Sequence, residues 1–355
     1  MLAGLAAATS SVELQVYLLR RDRIGESFIA ALTAAAGRGV RVTVTLDGWG
    51  SLRDGGSIIA ELRAAGCEAR IFNRLLTLLL GRIGRNHRKV LLIDDRLAFI
   101  GGLNIGDEYD EGDWLDLAAE VKGPVCAALG RALRLGGHET EAGPIRIFLS
   151  GLLGGRRLRR RYLKAIGRAR VSVLLAHGYF LPDAQVLRAL GSAAARGVQV
   201  VALLAGRSDV PFAPLATRLL YRRLVEAGIE VHEWNSSFLH AKAAVIDGRK
   251  LLVGSFNLDP LSLAMMEILV EADDRAAAGE AEAWMRALLV RARRVGPEDL
   301  RSPGVQGFLL RLAGRLFALP GEWLAIRLLG GRLFGLRGSR GHGPAPAKGP
   351  LRRRH

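Results

Sequence analysis

A short polar pattern written twice constrains this chain more than any other feature. His87, Lys89 and Asp94 are followed by Gly101, Gly102 and Asn104; His240, Lys242 and Asp247 are followed by Gly254, Ser255 and Asn257. Both copies read H-x-K-x4-D-x6-G-G/S-x-N, with their histidines 153 positions apart. At this chain's composition the H-x-K-x4-D core is expected by chance about 0.005 times, so two copies with the same tail mark a duplication. Such a chain folds as two similar units. Lysine usage adds weight: of 51 Lys and Arg only six are lysine, and two of those six occupy the equivalent motif position. Lysine is a compact charge with three donors on a flexible stem, which a planar guanidinium does not replace at a tight phosphate site.

The flanking sequence can be laid over itself in the same way. Strand-like VELQVYLL (12–19), a helical stretch and strand VRVTVTLDGWG have counterparts in VSVLLAHGYF (171–180), DAQVLRALGSAAARGV and VQVVALLAG. Gly39 and Gly197 follow the first helix of each half, where a helix C-terminus at positive φ meets a buried strand. A further helix and strand then lead into each motif. This β-α-β-α-β order predicts an α/β fold of two similar halves, each a mostly parallel mixed sheet flanked by helices. The second half carries an extra strand, IRIFLSG (145–151), and the helix RRLRRRYLKAIGRA, whereas the first begins with only LAGLAAATSS. The expectation is a first half short of one edge strand, with an N-terminus that starts inside a domain. The division expected is 1–140 and 141–300 for the two halves, 301–337 for a basic amphipathic segment and 338–355 for a disordered basic tail.

Taken as a strand, each motif points its His and Lys to one face. The apolar runs VLLI and AAVI then bury the strand, and glycines permit close backbone approach near Asn104 and Asn257. Neither half holds a complete acid–base pair. Joined by a pseudo-twofold, the halves supply two imidazoles, two ammoniums and two carboxamides. The lysines and amides can hold the oxygens of a phosphodiester and stabilise its transition state. One histidine can attack phosphorus while the other protonates the leaving alkoxide and later deprotonates the acceptor. Neither metal nor cofactor is needed, because the lysines carry the countercharge. Cys67 and Cys126 are isolated and read as buried small apolar residues.

At these residues the chain resembles the phospholipase D superfamily. With NIGDEY (104–109), Trp114, Asp116, KGP (122–124), GYFLPD, RSD (207–209), HEW and NLDPLSL (257–263), it is most similar to bacterial cardiolipin synthases of the branch without N-terminal membrane spans. The resemblance implies two phospholipase D-like halves with the active site at their seam and a covalent phosphohistidine. It implies catalytic roles for His87, Lys89, Asp94, His240, Lys242 and Asp247. Asn104, Asn257 and Ser255 would bind phosphate, and Asp116 and Glu267 would orient the histidines. His87 would be the nucleophile and His240 the general acid/base, although the near-symmetry of the motifs leaves the reverse order open. Two positions depart from the pattern: Gly102 stands where the second motif has Ser255, and Met265 where relatives often have Asn.

Net charge is +17, which suits a polyanionic partner: nucleic acid or an anionic membrane surface. Two stretches favour the membrane. LLTLLLG, flanked by Arg74, Arg82 and Arg85, precedes the first motif, and residues 305–336 are rich in Leu, Phe, Trp and Arg with Pro320-Gly321 between two amphipathic helices. The expected partners are phospholipids: phosphatidylglycerol, with phosphatidylethanolamine or glycerol as further candidates. Nucleic acid is disfavoured by the 6% aromatic content. No uncharged apolar run reaches the ~18 residues of a membrane span, so the expected place is peripheral, on the cytoplasmic side of a bacterial inner membrane. A phospholipid hydrolase, a metal-independent nuclease and a catalytically dead membrane scaffold are the alternatives. The basic run RRLRRR (156–161) reads equally as a solvated helix face or a phosphate-contacting patch.

Overall fold

The structure, a computed structural model, describes residues 1–73, 84–110, 112–210 and 213–300. The expected 301–337 segment and 338–355 tail, and most of the apolar stretch before the first motif, lie outside these residues. The first half comprises α1 (Leu2–Ala6), β1 (Ser11–Val16), α2 (Arg23–Gly37), β2 (Arg41–Asp47), α3 (Gly55–Ala64), β3 (Glu68–Phe72), β4 (Val90–Ile93), β5 (Leu97–Gly101), β6 (Trp114–Leu115), β7 (Ala118–Lys122) and α4 (Pro124–Leu135). The second comprises β8 (Glu139–Ala142), β9 (Ile145–Leu149), α5 (Arg156–Arg168), β10 (Ser172–His177), α6 (Ala184–Ala195), β11 (Gln199–Ala205), α7 (Ala213–Glu226), β12 (Glu230–Trp234), β13 (Phe238–Leu239), β14 (Lys242–Ile246), β15 (Lys250–Gly254), β16 (Ile268–Asp273), α8 (Arg275–Leu289) and β17 (Arg293–Arg294).

Among the described residues six strands form the first sheet, in the order β3-β2-β1-β4-β5-β7, and nine the second, in the order β17-β12-β11-β10-β14-β15-β16-β9-β8. The shared part is equivalent strand for strand. Beyond β16 the second sheet continues into β9 and β8, for which the described residues give no counterpart past β7 in the first. The change of sheet falls between α4 and β8, just ahead of position 140. Both sheets are mixed, but the parallel share is smaller than expected. Only β1-β2-β3 and β10-β11-β12 run parallel. The motif strands pair antiparallel with β1 and β10 and continue through antiparallel partners. The reason is local: Asp94-Asp95-Arg96 and Asp247-Gly248-Arg249 are tight turns with Asp94, Asp95, Asp247 and Gly248 at positive φ, and a tight turn returns the chain as a hairpin.

Each motif strand is buried on both faces, which explains its unbroken apolar run. Val90 and Leu92 enter the core where the sheets meet, while Leu91 and Ile93 enter the core under α1, α2 and α3. Ala243 and Val245 likewise join the seam, and Ala244 and Ile246 the core under α5, α6 and α7. The inner sheet faces therefore pack together with α4 and α8, and the remaining helices cover the outer faces. Asp22 and Asp183 cap α2 and α6 by accepting from backbone amides of the first turn. Gly39 and Gly197 both have φ of 85°, the left-handed turn that only glycine adopts cheaply. Helix α8 ends at Leu289, and β17 follows it onto the sheet edge.

Candidate active site

The motif ends of β4 and β14 meet at the seam, and the halves clasp each other through their backbones. His87 N–H donates to Met266 O at 2.8 Å and Met266 N–H to Arg85 O at 2.9 Å. In the other direction His240 N–H donates to Leu115 O at 2.7 Å, within a short parallel pairing of β13 with β6. Each histidine is thus bonded to the residue just before an acid of the opposite half. That places Glu267 on His87 and Asp116 on His240. The His87 Nδ1 lies 3.0 Å from both Glu267 carboxylate oxygens, and the His240 Nδ1 lies 2.6 Å from Asp116 Oδ2. Holding Nδ1 fixes the ring and leaves Nε2 as the reactive nitrogen. The expected orienting acids are present, and each serves the histidine of the other motif.

Beneath the histidines lie the two lysines, both buried. Lys89 Nζ donates to His87 O at 3.0 Å and Lys242 Nζ donates to His240 O. Lys242 also stands 3.7 Å from Asp116. Burial pushes both ammoniums below the usual lysine range, with Glu267 and Asp116 pulling the other way. Burial raises Glu267 to about 8. Burial, then the Lys242 charge, holds His240 down at about 4 against the pull of Asp116. Two buried cations so placed favour an anion above them, and a phosphodiester is one that could fill that role.

Asn104 and Asn257 are buried at the cleft, each with a carboxamide oxygen that has no hydrogen-bond partner among the described residues. Asn104 donates to the Tyr109 hydroxyl at 2.7 Å. That hydroxyl both donates and accepts, so the carboxamide can turn over and present its amine to a ligand.

Three expected site residues are placed elsewhere. Asp94 accepts from the backbone amides of Thr9, Ser10 and Ser11 at 2.7–3.2 Å, and Asp247 from those of Arg170, Val171 and Ser172 at 2.8–3.1 Å. Burial works against ionisation of Asp94, but the amides of Ser11, Ser10 and Thr9 outweigh it and hold the carboxyl well below the usual range. Both aspartates sit at the far ends of their strands and tie the hairpin turn to the start of β1 or β10. They are not at the reacting atoms. Ser255 is fully buried; its hydroxyl donates to Glu267 and accepts from Ile268 N–H at 3.0 Å. It steadies the acid behind His87 instead of touching phosphate. Gly102, its counterpart, leaves the equivalent space to Asp116: a Cβ there would stand 2.3 Å from both carboxylate oxygens.

The cleft above the histidines has a volume of about 350 Å³. Tyr17 packs edge-on against His87, and Tyr109, Trp114 and Tyr179 pack against His240. Leu18, Trp49, Leu52, Leu261 and Met265 give the cleft an apolar wall. At the polar rim Arg20 pairs with Glu108 at 2.7 Å and the Tyr179 hydroxyl donates to Asp209. Several of these stood in the sequence only as letters of family-like strings. Others, such as Tyr17 and Trp49, carried no motif signal, because their role depends on where two sheets meet.

Two α/β halves closing on crossed His–acid pairs over twin lysines define a phospholipase D-like protein. A family model described as "Cardiolipin synthase, PLD-like domain" matches residues 1–114 and 162–289, and the chain belongs to that family. It is 35% identical over 289 residues to cardiolipin synthase B of Salmonella typhi and 34% identical to that of Escherichia coli K12, in each case across 74% of this chain and 70% of the relative. Cardiolipin synthase of Geobacillus kaustophilus is 33% identical, across 72% of this chain and 57% of the relative. Among solved structures, phosphatidylserine synthase from Haemophilus influenzae superposes with a TM-score of 0.70 over 91% of each chain at 13% identity. Polyphosphate kinase from Porphyromonas gingivalis gives 0.58 over 89% of this chain and 50% of that one, at 17% identity. At such identities these likenesses speak for the fold alone.

Proposed function

We propose that the chain is a phosphatidyltransferase that makes cardiolipin through a phosphohistidine. The observation that carries this reading is the crossed pairing of Glu267 with His87 and Asp116 with His240 above two buried lysines, in a cleft with an apolar wall. The donor phosphate lies over Lys89 and Lys242, with Asn104 and Asn257 on its remaining oxygens. His87 Nε2 attacks phosphorus and a P–N bond forms. The P–O bond to the head group breaks, and His240 gives its proton to the departing alkoxide. Burial and the Lys242 charge keep His240 neutral in the free cleft, and it takes up that proton once the bound phosphodiester has offset the second of these. In the second step His240 removes the proton from a hydroxyl of phosphatidylglycerol. The alkoxide attacks phosphorus and the P–N bond breaks. With phosphatidylglycerol as both donor and acceptor, the products are cardiolipin and glycerol.

A lipid substrate accounts for the apolar side of the cleft. Leu52 lines it and is 53% exposed, and Leu152 and Leu153, 47% and 78% exposed, stand on the loop that runs beside residues 263–264. Among the described residues no helix is long and apolar enough to cross a membrane. The exposed leucines beside the cleft support an enzyme that meets its lipids at a bilayer surface, which we place at the inner membrane. Turnover of phosphatidylglycerol vesicles, with products identified by mass, tests it. Cardiolipin is the expected product. Phosphatidic acid without cardiolipin would make the chain a hydrolase, and cleavage of DNA with no lipid product would overturn the lipid reading.

A further inference from the structure

At the opposite end of β14 from the histidines lies a second cavity, of about 670 Å³. It is roughly 15 Å from Lys242, one strand length at ~3.4 Å per residue. Arg161, Lys164 and Arg168 of α5 line it, with Arg146 of β9 and Arg249 and Lys250 of the β14–β15 turn. Three carboxylates share the cavity, and all are engaged. Asp247 is held by backbone amides. Glu271 pairs with Arg161 at 2.7 Å and Lys250 at 3.1 Å, and Asp273 with Arg249 at 2.6 Å. Lys164 and Arg168 are exposed, and among the described residues neither has an ion pair or a side-chain hydrogen bond.

Helix α5 is also built against its own electrostatics. Arg161, Lys164 and Arg168, spaced i, i+3, i+7, lie on one stripe and repel one another. An anion in the cavity relieves that repulsion. Two of the chain's six lysines hold the motif positions, and two more, Lys164 and Lys250, line this cavity.

We propose that this cavity is a second anion site, separate from the active cleft, that takes a phosphate or diphosphate group. Of the basic run 156–161 the site takes Arg161, with Lys164 and Arg168 beyond it. Calorimetric titration with pyrophosphate tests it, comparing the full-length protein with a K164Q/R168Q variant and with R222Q, an exposed control on α7. Both substituted side chains of the double variant are exposed and unpaired, so the fold is expected to stand. Pyrophosphate also enters the active cleft, so the reading is the difference between proteins. The expected result is loss, or at least tenfold weakening, of one binding event in K164Q/R168Q alone, with phospholipid turnover in detergent micelles unchanged. Sedimentation with phosphatidylcholine vesicles, with and without phosphatidylglycerol, separates the sources of the phosphate. Weakening in both arms assigns the site to a lipid head group, and weakening toward pyrophosphate alone assigns it to a soluble phosphate ligand. Pyrophosphate binding by the double variant equal to wild type overturns the proposal, and so does a loss confined to the vesicle arm, which marks a diffuse electrostatic contact.

Discussion

Asp116 and Asp94 show how differently two aspartates of the first half are used. Asp116 is buried against the His240 ring, so D116N keeps the shape but removes the charge that supports an imidazolium. E267Q keeps the shape but leaves one acceptor oxygen at His87 Nδ1 in place of two. Each is expected to lower kcat about 100-fold or more, with KM changed far less; equal loss in kcat and gain in KM would mean that the acids merely shape the cleft. Asp94 instead binds the amides of Thr9, Ser10 and Ser11. Its replacement by Ala is expected to cost about 1–3 kcal/mol in urea unfolding while leaving kcat per folded molecule near wild type. A large loss of kcat in a fully folded D94A protein would return this residue to the reaction. The histidines, lysines and asparagines were legible from their spacing. The role of the aspartate was not, because a carboxylate that caps backbone amides recurs as strictly in a duplicated motif as one that does chemistry.

Strand β10 ends in a histidine that the chemistry does not use. His177 is wholly buried, beside Tyr162 and Phe180 and paired in register with Lys242, and neither ring nitrogen has a partner among the described residues. Burial, then the Lys242 charge, holds its pKa down at about 3. An unfolded histidine titrates near ~6.5. Between these values the unfolded chain carries more protons than the folded one, so stability is complete above about pH 6.5 and falls as pH drops toward 3. H177L should therefore be as stable as wild type or more so at pH 7.5, with a smaller drop in urea midpoint on going to pH 5. An unchanged pH dependence would show that His177 is not the sensor. At this scale the helix–strand alternation was legible, because apolar period and glycine position report local structure. The antiparallel pairing, β8 and β17 were not, since ETEA and RR carry no strand pattern and acquire it only from the edge they join.

Across the whole molecule, one site is completed by two halves of one chain. His87 is positioned by an acid 180 residues further on, and His240 by one 124 residues earlier. The duplication made the seam foreseeable; the exchange of acids across it was not, because sequence order puts each acid beside its own motif. If the site is intramolecular, a mixture of H87A and H240A proteins stays inactive, whereas recovery toward a quarter of wild-type turnover would mean that halves are exchanged between chains. The covalent step remains the centre of the account. The most direct measurement is the mass of the protein after rapid alkaline quenching with phosphatidylglycerol, followed by peptide mapping. The account predicts a phosphatidyl adduct on His87 in wild type, accumulating in H240A when an activated donor is used, and none in H87A. An adduct on any other residue, or turnover to cardiolipin by H87A, would contradict it.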